Sequence, residues 1–135
     1  MHTFVDRVVA DRWSGLLCDE SEIHAPTVDD LVRVIEELDA KTQTLVSLYG
    51  KEGAYLSIGG GAGQYVAYAS TSDEQLWNLL SDSDDRNGIV LLNAGGQEGD
   101  FPARQVVDKL RALQAARVFF ETGKLDSALR WEKQT

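Results

Sequence analysis

The sequence predicts an α+β fold: an antiparallel β-meander sheet with two main helices packed on one face. Three observations predict it. Two stretches carry apolar residues at helical spacing, one beginning at Thr27 and one running to Thr122. Between them lie short apolar runs separated by glycines, the punctuation of hairpin-linked strands. Strands grouped between helices, rather than alternating with them, favour one sheet with helices on a face. The 135 residues form one expected domain, 1–135, large enough to bury roughly two thirds of its unfolded surface.

Taken in order, residues 3–12 are ambiguous. Val5, Val8 and Val9 favour a strand, but they alternate poorly. Ser14-Gly15 reads as a turn, Leu16-Leu17-Cys18 as a short second strand, and the polar residues 19–25 as a loop. Thr27 is the N-cap of the first helix, with Pro26 before it and Asp29 and Asp30 in its first turn, where the helix dipole favours anions. Val28, Leu31, Val32, Ile35 and Leu38 share its apolar face.

Strands are expected at 42–49, 54–58 and 64–69, with turns at 50–53 and 59–63. On the third strand Tyr65, Ala67 and Ala69 point one way and Val66 and Tyr68 the other. Residues 76–80 form a strand or one helical turn. An acidic loop over 82–88 ends in the turn dipeptide Asn87-Gly88. The apolar run 89–93 is expected to be a central strand, Gly95-Gly96 a turn, and 97–101 its returning partner. The last helix has Val106, Leu110, Leu113, Ala116 and Phe120 as its apolar stripe. It starts either with Pro102 in its first turn or after Asp108 as N-cap, and Gly123 stops it. Leu129 and Trp131 alternate with Arg130 and Glu132 as a short closing strand.

Charge narrows the partners. There are 22 acidic and 13 basic side chains, a net charge of −9. Binding phosphate needs clustered cations, so direct nucleic-acid or anionic-membrane binding is not expected. A basic partner suits the chain, although acidity also serves solubility. Cys18 is the only cysteine, which excludes an intrachain disulfide. Asp6, Arg7, Asp11 and Arg12 break any N-terminal apolar run, so no signal peptide is expected, and the cytoplasm is the expected location.

Chemical motifs are missing from the sequence. The glycine run at 59–63 meets Gln64 where a dinucleotide fingerprint needs glycine, and no Gly-Lys-Ser/Thr follows it. A hairpin turn is the better reading. His2 and His24 are the only histidines, and one cysteine cannot build a zinc deaminase centre. Counted from Asp82, an EF-hand would need glycine and glutamate where Asn87 and Asn93 stand. Ser57 lies between Leu56 and Ile58, outside any nucleophile elbow, and Cys18 has no basic sequence neighbour. No catalytic residue, metal site or cofactor is therefore expected.

The C-terminal part carries Phe119-Phe120-Glu121-Thr122-Gly123 and then Trp131-Glu132, after a first helix introduced by Pro26-Thr27. This pattern resembles the first-numbered family of immunity proteins from bacterial polymorphic toxin systems. The resemblance implies a non-enzymatic protein that binds and neutralises one cognate toxin. Such toxins are often nucleic-acid deaminases, for example of DNA cytosine, or nucleases. Their substrate grooves must be basic, and an acidic protein can fill one. The candidate contacts are Asp82, Asp84 and Asp85 of the acidic loop, with Trp77, Glu98, Asp100 and Tyr68. Two other classes stand beside this reading: a small ligand-binding or enzymatic domain with a pocket between sheet and helix, and a scaffold self-associating through a sheet edge.

Overall fold

The computed structural model describes residues 3–71, 75–82 and 87–134. Strands β1 (Arg7–Ser14) and β2 (Leu17–His24) form a hairpin, followed by helix α1 (Val28–Glu36). Then come β3 (Leu45–Tyr49), β4 (Tyr55–Gly61), β5 (Gln64–Ser70) and β6 (Leu76–Leu79). A ribbon of β7 (Ile89–Asn93) and β8 (Glu98–Pro102) precedes helix α2 (Lys109–Thr122) and the closing strand β9 (Trp131–Lys133). Among the described residues one seven-stranded sheet has the order β2-β1-β3-β4-β5-β6-β9, and β7-β8 stand apart. Every pairing is antiparallel. This is the expected α+β architecture, with both helices on one sheet face.

Register builds the core. Val8, Leu48, Leu56 and Ala69 line up across β1, β3, β4 and β5, and Ala10, Val46, Ile58 and Ala67 form the next row. All eight are buried and share a core with Leu31, Val34 and Ile35 of α1 and with Phe119 and Phe120 of α2. Fully burying one such large apolar side chain stabilises the fold by about 1.5–3 kcal/mol. Ala112, Ala115 and Ala116 give α2 a small-residue face toward this core.

The helix ends follow local chemistry. Thr27 Oγ1 accepts from Asp30 N at 3.1 Å, and the Asp30 carboxylate accepts from Thr27 N at 2.9 Å, a reciprocal cap. Asp108 is the N-cap of α2, its carboxylate accepting from Arg111 N at 2.8 Å. Residues 103–105 form a separate 3-10 turn. This start sets the helix phase differently from the expected stripe. Leu110 is 76% exposed, and Val106, ahead of the helix, packs in a second small cluster.

Three expectations about strands need correction. Residues 19–25 are not a loop, because 19–24 belong to β2, paired along β1 from Leu17 to His24. At an edge with nearly every side chain exposed, main-chain pairing needs no apolar alternation. The run 89–93 is not central: it forms the ribbon, with Ile89 68% and Leu91 58% exposed. Only its alternate residues, Val90 and Leu92, join the small cluster. Finally, Gly59–Gly61 belong to β4, and the turn is only Ala62-Gly63, both at positive φ as a tight two-residue hairpin requires.

Candidate functional site

The face of the sheet turned away from the helices carries two rows of mostly half-buried side chains. One row across it holds Arg7, Tyr49, Tyr55, Ser70 and Leu76; the next holds Val9, Ser47, Ser57, Tyr68, Asn78 and Glu132. Both rows follow from the strict two-residue alternation that puts the core residues on the opposite face. Ser47 and Ser57 are buried and share a hydrogen bond of 2.7 Å.

Half-buried Tyr68 stands opposite Ser57 in the β4–β5 register. Its phenol is held above the ordinary tyrosine range, chiefly by desolvation, against the opposing effect of the neighbouring Ser57 hydroxyl. The group therefore stays neutral near pH 7. The Tyr49 and Tyr55 rings lie 6.2 Å apart, centroid to centroid, and the Arg7 guanidinium stands 4.4 Å from the Tyr49 centroid. Glu22 pairs with Arg7 at 3.3 Å and with His24 at 3.1 Å, placing acid at the β2 end of the face.

The ribbon covers the third row. Val66 of β5 packs with Leu92 and Val106, backed by Val90, Ala94 and Phe101. A Cβ on Gly59 would lie 2.5 Å from the Ala94 Cβ, so glycine is what lets the ribbon turn approach β4. Buried Asp11 holds the turn in place. Its carboxylate accepts from Thr44 N at 2.7 Å, Leu45 N at 3.0 Å, Trp13 Nε1 at 2.8 Å and the Thr44 hydroxyl. Thr44 Oγ1 in turn accepts from Gly95 N at 3.0 Å and Gly96 N at 2.9 Å. Seated this way, the ribbon turns Ile89, Leu91, Glu98 and Asp100 outward on one surface, with Leu91 directly opposite Asp100.

The sequence candidates are distributed as follows. Glu98 and Asp100 share the outer ribbon face, and both are exposed. Asp82 is exposed just beyond β6, where Ser81 N donates to Arg104 O at 2.7 Å. Tyr68 belongs to the open sheet face, whereas half-buried Trp77, paired with Ala69, is on the helix-side face. Asp84 and Asp85 lie outside the described residues. Tyr65 is buried in the core. Tyr49, Tyr55 and Arg7 escaped the sequence reading. The alternation of residue types over 45–49 was their signal, but it does not say which side a helix covers.

The C-terminal motif residues have structural partners. Thr122 Oγ1 donates to Val118 O at 2.7 Å and accepts from Lys124 N at 3.1 Å. Gly123 ends α2 at φ +72°, and a Cβ there would lie 2.5 Å from the Phe4 ring. Trp131 packs against the core and donates through Nε1 to Asp126 O at 3.0 Å. Glu132 pairs with Arg104 at 3.2 Å on the open face.

Other features do not converge on chemistry. A shallow groove of about 480 Å³ runs along α2 between Leu110, Leu113, Gln114, Arg117, Val118 and Glu121, on the other side of the sheet from Tyr68. Among the described residues no three His, Cys, Asp or Glu side chains come together as a metal site. Among them, too, no helix is long and apolar enough to cross a membrane.

No curated protein matches the chain. A family model described as "Immunity protein Imm1" does match it, over residues 19–133. That match spans most of the sheet and both helices. The chain belongs to the Imm1 immunity-protein family, and membership implies toxin immunity through binding of a cognate toxin.

Proposed function

We propose that this member of the Imm1 family neutralises a toxin that acts on nucleic acid, such as a DNA cytosine deaminase, by occluding its basic substrate region. The observation that carries the reading is a net charge of −9 on a chain of this family. A toxin that works on DNA or RNA needs a cationic groove. The exposed carboxylates of Asp82, Glu98 and Asp100 can occupy that groove in place of phosphates. Asp84 and Asp85 extend the same acidic sequence; of the two aromatic candidates Tyr68 faces the open side of the sheet, and Trp77, on the helix side, would contact the toxin only around the β6–β9 edge. Opposed charge draws the partners together at up to about 10⁸–10⁹ M⁻¹s⁻¹ at low salt. Exposed apolar side chains then determine how long the complex lasts. The protein acts by binding, without catalysis or a cofactor, in the bacterial cytoplasm.

Co-expression with the toxin domain encoded beside this gene tests the reading. A stable complex, surviving cells and loss of the toxin's binding to an oligonucleotide are the expected results. A complex that still binds the oligonucleotide overturns occlusion. Cell death despite soluble protein overturns immunity toward that toxin.

A further inference from the structure

One free edge of the seven-stranded sheet is long and regular, and acidic side chains are what guard it. The sheet's two edges differ: β9 has three residues and β2 has eight. Edge strands of monomeric proteins are normally short, bulged, interrupted by proline, or lined with charge, lysine above all. Strand β2 pairs with β1 without a bulge through eight consecutive residues, and it contains neither proline nor lysine. At about 3.3 Å per residue its open edge is roughly 26 Å long.

The hairpin turn determines which main-chain groups face outward. Gly15 and Leu16 form a two-residue turn, so Ser14 and Leu17 are the closing hydrogen-bonded pair. Alternation then directs the N–H and C=O groups of Cys18, Glu20, Glu22 and His24 away from β1. The hairpin tip also reaches past β3, which pairs with β1 only at Arg7–Ala10, beyond the last main-chain bond from Trp13 N to Thr42 O. At the tip Leu16 is 97% and Leu17 76% exposed.

The charge of the edge selects its occupant. Asp19, Glu20 and Glu22 give β2 three acids; Glu22 already pairs with Arg7 and with His24, and Arg12 stands opposite Asp19 in the β1 register. A second copy pairing edge to edge would set these acids against each other, and like charges opposite one another are destabilising. A strand carrying Lys or Arg at alternate positions meets complementary charge instead.

We propose that β2 is a strand-addition site. It takes a basic extended segment of the cognate toxin as an eighth strand of the sheet, with Leu16 and Leu17 packing against the toxin beyond the strand. The inference rests on the immunity reading above and names the surface and the mode of docking.

The test is residue-resolved amide exchange of the full chain, free and mixed with the toxin domain encoded beside its gene. Calorimetry on Glu20→Pro and Glu20→Gln accompanies it. Asp19, Ser21 and Ile23 already bond to β1, so the expected result is new protection at Cys18, Glu20, Glu22 and His24 in alternation. Proline is tolerated where an edge N–H faces solvent, so Glu20→Pro should keep the fold, which circular dichroism checks. It should bind about tenfold more weakly, the loss of one main-chain hydrogen bond. Glu20→Gln should lose only about threefold, as a rim charge does. A complex in which these four amides exchange as in the free chain overturns strand addition and leaves immunity standing. Concentration-dependent protection without toxin overturns it in favour of a second copy. Absence of any complex removes the immunity reading and this inference together.

Discussion

Thr44 and Asp11 sit 33 positions apart in the chain, yet the Thr44 hydroxyl donates to the buried Asp11 carboxylate. The same hydroxyl accepts the N–H groups of Gly95 and Gly96. One oxygen thus ties β1 and β3 to the turn of the ribbon that presents Leu91 and Asp100.

Thr44→Val keeps the shape and removes that oxygen. Two glycine N–H groups lose their acceptor, and Asp11 loses a donor. Leaving such part-buried groups unpaired costs about 1–3 kcal/mol. The expected outcome is a lower urea midpoint, with Gly95 and Gly96 amides exchanging faster than the core. Unchanged exchange at those two glycines would show that the ribbon is held by its apolar contacts alone.

Gly59→Ala should destabilise by about 1–3 kcal/mol, as overpacking does, since its Cβ would lie 2.5 Å from the Ala94 Cβ. Ala94→Gly in the same chain should restore most of the loss, because it removes the atom that collides. Thermal melts of the two singles and the double decide it. Additive losses would place the cause in backbone conformation.

The Asp39 carboxylate accepts from the N–H groups of Lys41, Thr42 and Gln43 and from the Thr42 hydroxyl. The main-chain bond from Gln43 is the largest cause holding its carboxyl well below the ordinary aspartate range; burial opposes it. A group whose pKa is depressed by folding contributes stability above its unfolded pKa, and the contribution is lost as pH falls toward the folded value. The difference in urea midpoint between the native chain and Asp39→Asn should be greatest near neutral pH and shrink below 3.8. A difference that holds constant through acid would show that the turn gains nothing from ionisation.

Glu98 and Asp100 are exposed on the outer ribbon face. Converting both to lysine should leave thermal stability unchanged and slow toxin association by more than about tenfold at low salt. Near 1 M salt, where charges are screened within about 3 Å, the difference should nearly vanish. Stopped-flow association across a salt series measures it, and equal rates at low salt would move the acidic contact elsewhere.

Helix ends were the most legible part of the sequence, because they rest on interactions a few residues apart. Thr27 with Asp30, Asp108 with Arg111, and Gly123 after Thr122 are each satisfied within one turn. Strand placement was less legible. Val90 and Leu92 look like a central strand in isolation, and polar Asp19 to His24 look like a loop. Whether a strand needs apolar side chains depends on how many of its faces are covered, and only the neighbouring elements determine that.

By itself, the sequence determined the α+β class, the capped helices, the acidic balance and the C-terminal Thr-Gly and Trp-Glu pattern that resembles the immunity family. These depend on composition and short-range spacing. Tertiary structure alone decided that Tyr49, Tyr55 and Tyr68 share an open face, that Glu98 and Asp100 ride outward on a ribbon, and that β2 is left as a free edge. Each follows from pairings between residues distant in the chain, such as Arg7 with Tyr49 and Thr44 with Gly95, which no local pattern encodes.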